Sequence, residues 1–155
     1  MSIEEELGFP IVKPQVVDWA DMDVFGHINN VVYFRYFENI RIEYFRRLGW
    51  MQGSPGVGIG PIVHSTQARF RTAVHFPATL LACAKVKELN GDRFTVSHQL
   101  VDSETKAVTT YGEALIVCYD YTTQQKCRIP DELELAIMNL EAQVGNRPVI
   151  HSPPL

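Results

Sequence analysis

Apolar residues recur at helical spacing over residues 30–48. Tyr33, Tyr36, Phe37, Ile40, Tyr44 and Leu48 follow one another at intervals of three, one, three, four and four. That spacing places them on one face of a helix, and Arg35, Glu38, Arg41, Arg46 and Arg47 take much of the remaining surface. Asn29 or Asn30 can cap the start, because its side-chain oxygen accepts an orphan backbone N–H. Gly49 suits the position just past the end, and Arg46 and Arg47 complement the dipole in the last turn. After residue 62 the pattern becomes strand-like: Ile62, His64, Thr66, Ala68 and Phe70 alternate with Val63, Ser65, Gln67 and Arg69. Further strands are predicted over 80–89, 93–101 and 107–119. Asn90-Gly91-Asp92 is a strong hairpin signal between two of them, and turns follow at 102–105 and near 122–125. A short strand over 12–20, broken early by Pro14, precedes the helix. Residues 1–11 read as a loose arm, 52–61 as a Gly/Pro loop, 130–143 as a short helix, and the tail GNRPVIHSPPL as extended or disordered.

Strand, long helix and an antiparallel run of strands make an α+β chain. The economical solution wraps the sheet's apolar face around the helix stripe. A βαβαβ reading fails, because no helices separate the strands after residue 62. Length fits one domain over 1–155, with its core at about 12–127.

Composition changes this picture little: 46% of residues are hydrophobic and 21% charged, enough for a sizeable core. The formal net charge of -4 and the lack of a basic patch argue against a nucleic-acid partner. Cys83, Cys118 and Cys127 are too few and too scattered for a disulfide framework and suit a reducing compartment. Residues 4–6 are glutamates where a secretory leader would be basic. No apolar run is long enough to span a membrane. A cytoplasmic location without a membrane partner is the expectation.

The chemistry concentrates in DMDVFGHINNVVYFRYFE, residues 21–38. Two carboxylates, a glycine, a histidine and two asparagines lead into the helix. A helix start offers free N–H groups and partial positive charge, which can stabilise an oxyanion growing on a carbonyl. Gly26 permits a close backbone approach. A carboxylate just before such a helix can attack a carbonyl or activate water. Acyl transfer is therefore the chemistry that these residue types suggest. Asp21 and Asp23 can equally be turn residues, Asn29 and Asn30 caps, and Tyr33, Tyr36 and Phe37 core. Glu38 reads as a solvated charge beside Arg41.

The string Asp-x-Asp-x-x-Gly-His-x-Asn-Asn-x-x-Tyr, residues 21–33, resembles the motif of 4-hydroxybenzoyl-CoA thioesterase-like proteins of the hotdog superfamily. The stretch FENIRIEYFRRLG resembles their central helix, and the later strand order resembles their curved sheet. The resemblance covers roughly residues 12–127. It implies that Asp23 is the nucleophile or general base on a thioester. It implies that the backbone N–H of Asn30 polarises the thioester carbonyl, and that Asp21 and Gly26 hold the loop. His27 occupies the place of a functional histidine in the related plant acyl-carrier-protein thioesterases, but not in the benzoyl-CoA enzymes. Its role stays open between catalysis and ordering the loop. Asn29, Asn30 and Tyr33 are candidate pocket residues.

Coenzyme A carries phosphates, and Arg69, Arg71, Lys85, Lys87 and Arg93 lie on neighbouring strands and their hairpin. They read either as phosphate holders or as an ordinary charged sheet face. The resemblance implies an acyl-CoA substrate and a homodimer or homotetramer with sites built from two chains. No metal or separate cofactor is expected, since coenzyme A enters with the substrate and the five histidines lack metal-ligand spacing. A serine-hydrolase elbow is absent, and GVGIG at 56–60 lacks a dinucleotide-binding context. The alternatives are an acyl-carrier-protein thioesterase, a hotdog dehydratase or hydratase, and a non-catalytic acyl-CoA-binding module.

Overall fold

The computed structural model describes residues 1–50 and 58–151. Of the loop expected over 52–61, residues 52–57 lie outside the described residues, as do 152–155 of the tail.

The central helix α2 (Asn30–Arg47) forms where the apolar stripe predicts it. Asn29 is its N-cap, with the side chain accepting from the Val31 N–H, and Gly49 follows it with φ 75°. Around it curls an antiparallel sheet of β1 (Ile11–Val16), β2 (Ile59–Phe70), β3 (Thr79–Asn90), β4 (Arg93–Asp102) and β5 (Val108–Asp120), in the order β1-β3-β4-β5-β2. The short β6 (Gln125–Lys126) extends β5 as a hairpin, and β7 (Val149–His151) pairs in parallel with β3. The α+β hotdog architecture implied by the resemblance is the one observed.

Period-two alternation divides the sheet into two faces. Leu80, Ala82 and Ala84 of β3, Phe94 and Val96 of β4, and Ala114 and Ile116 of β5 join Tyr33, Phe37, Ile40 and Tyr44 of α2 in one buried core. His98 lies in the same layer, fully buried and stacked on Phe37 with centroids 5.1 Å apart. Burial, reinforced by nearby Arg41, pushes its imidazole down to about 3, so it stays neutral around physiological pH. Across the sheet from His98, Gly112 gives Phe37 its seat: a Cβ there would lie 2.5 Å from the ring. Gly112→Ala is therefore expected to cost about 1–3 kcal/mol through overpacking, read as a lower urea midpoint at unchanged m-value.

The arm over 1–11 is corrected. Residues Ile3–Leu7 form a short helix, α1, with the Ser2 side chain accepting from Glu5 N–H and Gly8 closing it at φ 76°. Phe9 and Val12 pack with Cys83 and Val101 against the outer face of the sheet, with Leu7 beside them. The strand expected over 12–20 ends at Val16; Trp19–Asp21 are a 3-10 turn, capped by the Asp18 side chain on Ala20 N–H. The strand expected from 62 begins at Ile59, because Ile59–Pro61 pair with Cys118–Asp120. Pro61 is tolerated because β2 is an edge strand. Its register shifts between Val63 and Ser65. The predicted hairpin is present, with Gly91 and Asp92 as the two loop residues. The last helix, α3, covers Asp131–Ala142. The tail is extended, as expected, but β7 ties part of it to the sheet through backbone pairing and a His151–Glu88 contact of 2.8 Å.

Candidate active site

Residues 21–29 fold into a compact loop on top of the α2 N-terminus, and Asp21 holds it there. Its Oδ1 accepts from Arg35 Nη2 at 2.6 Å and its Oδ2 from Tyr36 Oη at 2.7 Å, while its carbonyl accepts the Asn29 N–H. The Tyr36 phenol is raised above its ordinary range by burial and by the Asp21 carboxylate. Tyr36→Phe leaves Asp21 with only the arginine, and a loss of about 1–2 kcal/mol in unfolding free energy is expected by chemical denaturation.

Asp23 closes the loop on itself. Its Oδ1 accepts from Phe25 N–H at 2.8 Å and His27 N–H at 3.0 Å, and its own N–H donates to the His27 carbonyl. Oδ2 has no hydrogen-bond partner among the described residues. The His27 N–H is the main cause that holds this carboxyl below the ordinary aspartate value, so it is ionised at neutral pH. Gly26 takes φ 76°, and nothing crowds the place of its absent Cβ. Its requirement is the left-handed backbone itself.

At the helix start the N–H groups are almost all used. Ile28 N–H goes to the Val74 carbonyl, Asn29 N–H to Asp21, Val31 N–H to the Asn29 side chain and Val32 N–H to the Asn29 carbonyl. The N–H of Asn30 has no acceptor among the described residues, as is common in the first turn of a helix. A cleft of ≈ 380 Å³ brings together Asp23, His27, Asn29, Asn30, Tyr33 and Arg71, with Phe70 and Thr72 opposite the loop. Tyr33 packs on Phe70 with centroids 4.9 Å apart, and burial raises its phenol. Asp23 also lines a second, wider cleft of ≈ 820 Å³, together with Trp19, Met22, Val24, Gly26 and Phe76. Glu38 is exposed on α2 and does not line the first cleft.

The five cations do not form one cluster. Arg71 belongs to the connection after β2 and faces the Asp23 cleft, whereas Arg69 lines a separate depression with Gln67, Ser97 and Glu113. Lys85 lies over the Phe9 ring at 4.7 Å. Lys87 is paired to Glu113 and Arg93 to Asp92. The reason is topological: β4 and β5 separate β3 from β2. Of the segment 71–78 only Arg71 was a candidate from the sequence; Thr72 and Ala73 beside it also line the cleft. Val74 is buried, and His75 touches both the Gly26 carbonyl, at 3.0 Å, and the His27 ring, with centroids 4.7 Å apart. Its residues carry no periodicity that could have announced this.

Residues 17–137 match the model of the thioesterase-like superfamily. Over 48 residues the chain is 42% identical to the uncharacterised protein YsmA of Bacillus subtilis, a stretch that is 31% of this chain and 33% of that relative. The chain therefore spans about a third of YsmA's length in this match. Among solved structures, the PA2801 protein of Pseudomonas aeruginosa superposes with a TM-score of 0.74 at 27% identity, covering 83% of this chain and 98% of that one. A thioesterase of Thermus thermophilus, solved with coenzyme A and zinc, superposes with a TM-score of 0.76 at 21% identity, covering 87% and 97%. The matched residues take in the Asp23 loop, all of α2 and strands β2 to β5, and the chain belongs to the thioesterase-like superfamily, with a hotdog fold.

Proposed function

We propose that the chain hydrolyses an acyl-CoA thioester to the free acid and coenzyme A. One observation carries this reading: Asp23, ionised and with no partner on Oδ2 among the described residues, and Asn30, whose N–H has no acceptor among them, line the same cleft. The thioester oxygen lies on the Asn30 N–H, where the helix start favours the negative charge that develops. Asp23 then acts by one of two balanced routes. Its Oδ2 adds to the carbonyl carbon, the C–S bond breaks, the thiolate leaves, and water hydrolyses the resulting anhydride. Alternatively Asp23 takes a proton from a water that attacks the same carbon, and the thiolate again leaves. His27 orders the loop through its backbone, and Asn29 caps the helix. Tyr33 and Phe70 wall the cleft, and Arg71 is the cation at its rim.

Coenzyme A as the carrier is supported by the Thermus thermophilus relative solved with that molecule. Assembly as a homodimer, alone or doubled, is supported by β2. Its outer edge pairs with no strand among the described residues, and it exposes Val63 and Phe70.

The test is thiol release from a panel of acyl-CoAs of varied length, with benzoyl- and hydroxybenzoyl-CoA included. Release from at least one member is expected. Release from acyl-carrier-protein thioesters alone would change the carrier. Tight acyl-CoA binding without any release would replace hydrolysis by a binding role.

A further inference from the structure

The segment 71–78 returns the chain from β2 to β3 and leans on the Asp23 loop at two points. Val74 accepts the Ile28 N–H at 3.0 Å, and His75 Nδ1 lies 3.0 Å from the Gly26 carbonyl oxygen. A carbonyl oxygen only accepts, so Nδ1 carries the hydrogen and donates it. The Gly26 carbonyl and the His27 N–H are two ends of one planar peptide group. That same His27 N–H donates to Asp23 Oδ1 at 3.0 Å. The chain of contacts therefore runs from the imidazole, through one rigid peptide plane, to the carboxylate. A donor on the carbonyl also polarises the N–H at the far end and strengthens its bond. Gly26 itself, at φ 76° and with open space around it, offers no side chain to fix that plane. The His75 ring also meets the His27 ring edge-on at an interplanar angle of 72°, a second contact with the residue whose N–H reaches Asp23.

We infer that His75 is the positioning residue for Asp23: it fixes the Gly26–His27 peptide, and this peptide fixes the carboxylate that faces the cleft. The inference rests on the reading of Asp23 as the reacting group, but the contact itself is readable without any turnover.

The experiment compares the full chain with His75→Ala, His75→Asn and His75→Phe. Asn places an amide donor where Nδ1 stood, whereas Phe keeps the ring contact and loses the donor. Two readouts are taken: the titration of the Asp23 carboxyl by carbon NMR, and kcat and KM for thiol release. In His75→Ala the Asp23 titration moves up toward the ordinary carboxyl range, and kcat falls on the order of 10- to 100-fold with KM within about twofold. His75→Asn recovers most of both effects, and His75→Phe recovers neither. An unmoved Asp23 titration in both His75→Ala and His75→Phe would overturn the inference. So would an Asn variant as impaired as the Ala variant. If the unmutated chain releases no thiol, the hydrolase reading fails, and the carboxyl titration still decides the role of His75.

Discussion

Asp23→Asn is expected to lower kcat for thiol release by roughly three orders of magnitude or more, with little change in thermal midpoint. The amide oxygen can still accept from Phe25 and His27, so the loop closes as before. What is lost is the free Oδ2, the one atom of the residue able to attack a carbonyl or take a proton. The pH dependence follows from the same hydrogen bonds. His27 N–H holds the Asp23 carboxyl below its ordinary value. The active form is ionised, so activity is present above that lowered pKa and is lost as pH falls through it. The acid limb of kcat/KM should therefore lie below the usual aspartate range, and in Asp23→Asn this limb should vanish from any residual rate. Near-normal turnover in the variant would remove Asp23 from the mechanism.

The largest effect on stability is expected far from the cleft, at Glu141. This carboxylate has no exposed surface, and three donors converge on it. Tyr44 Oη of α2 donates to Oε2 at 2.6 Å, Val86 N–H of β3 donates to the same oxygen at 2.9 Å, and Asn146 Nδ2 donates to Oε1 at 3.0 Å. Asn146 also reaches the Gly8 carbonyl at 2.9 Å, which brings in the N-terminal segment. Glu141→Ala strands three donors in the interior, and a loss of about 3–5 kcal/mol in unfolding free energy is expected. Glu141→Gln keeps an acceptor and should lose much less. Burial outweighs the three bonds and raises this carboxyl above the ordinary glutamate value. A group with a raised folded-state pKa contributes most below its unfolded value, about 4.3, and loses that contribution as pH rises through the folded value. Denaturant titrations across this window should show a declining component that is missing in Glu141→Gln. A flat profile in the unmutated chain would show that the carboxyl titrates alike folded and unfolded.

What was legible in the sequence was local. The stripe from Tyr33 to Leu48 declared α2, because burying one face of an 18-residue helix requires that spacing. Asn90-Gly91 declared a hairpin, because a two-residue loop needs a positive φ, which Gly91 adopts at 68°. The loop of the candidate site was legible for the same reason: Asp21, Asp23, Gly26, His27, Asn29 and Asn30 are consecutive enough for one loop and helix start to hold them. The helix of residues Ile3–Leu7 was not legible, since five residues form no stripe, and its support comes from a sheet face some eighty residues away. Nor was the dispersal of the cations, which depends on β4 and β5 entering between β3 and β2. His75 lies outside any regular element, and only the folded chain brings it to Gly26.

The strand order also bears on when the cleft comes into being. The β3–β4 hairpin closes over two residues and needs little loop entropy. The partners of β1 and β2 are far along the chain: Val16 pairs with Thr79, and Phe70 with Thr110. The loop that carries Asp23 follows β1, and the wall that carries Arg71 and His75 follows β2. Their meeting waits on both of these slow, non-local closures. The candidate cleft is thus expected to form late in folding, as the barrel-like wrap is completed, and pulsed hydrogen exchange should show the Ile28 amide protected after those of the β3–β4 hairpin.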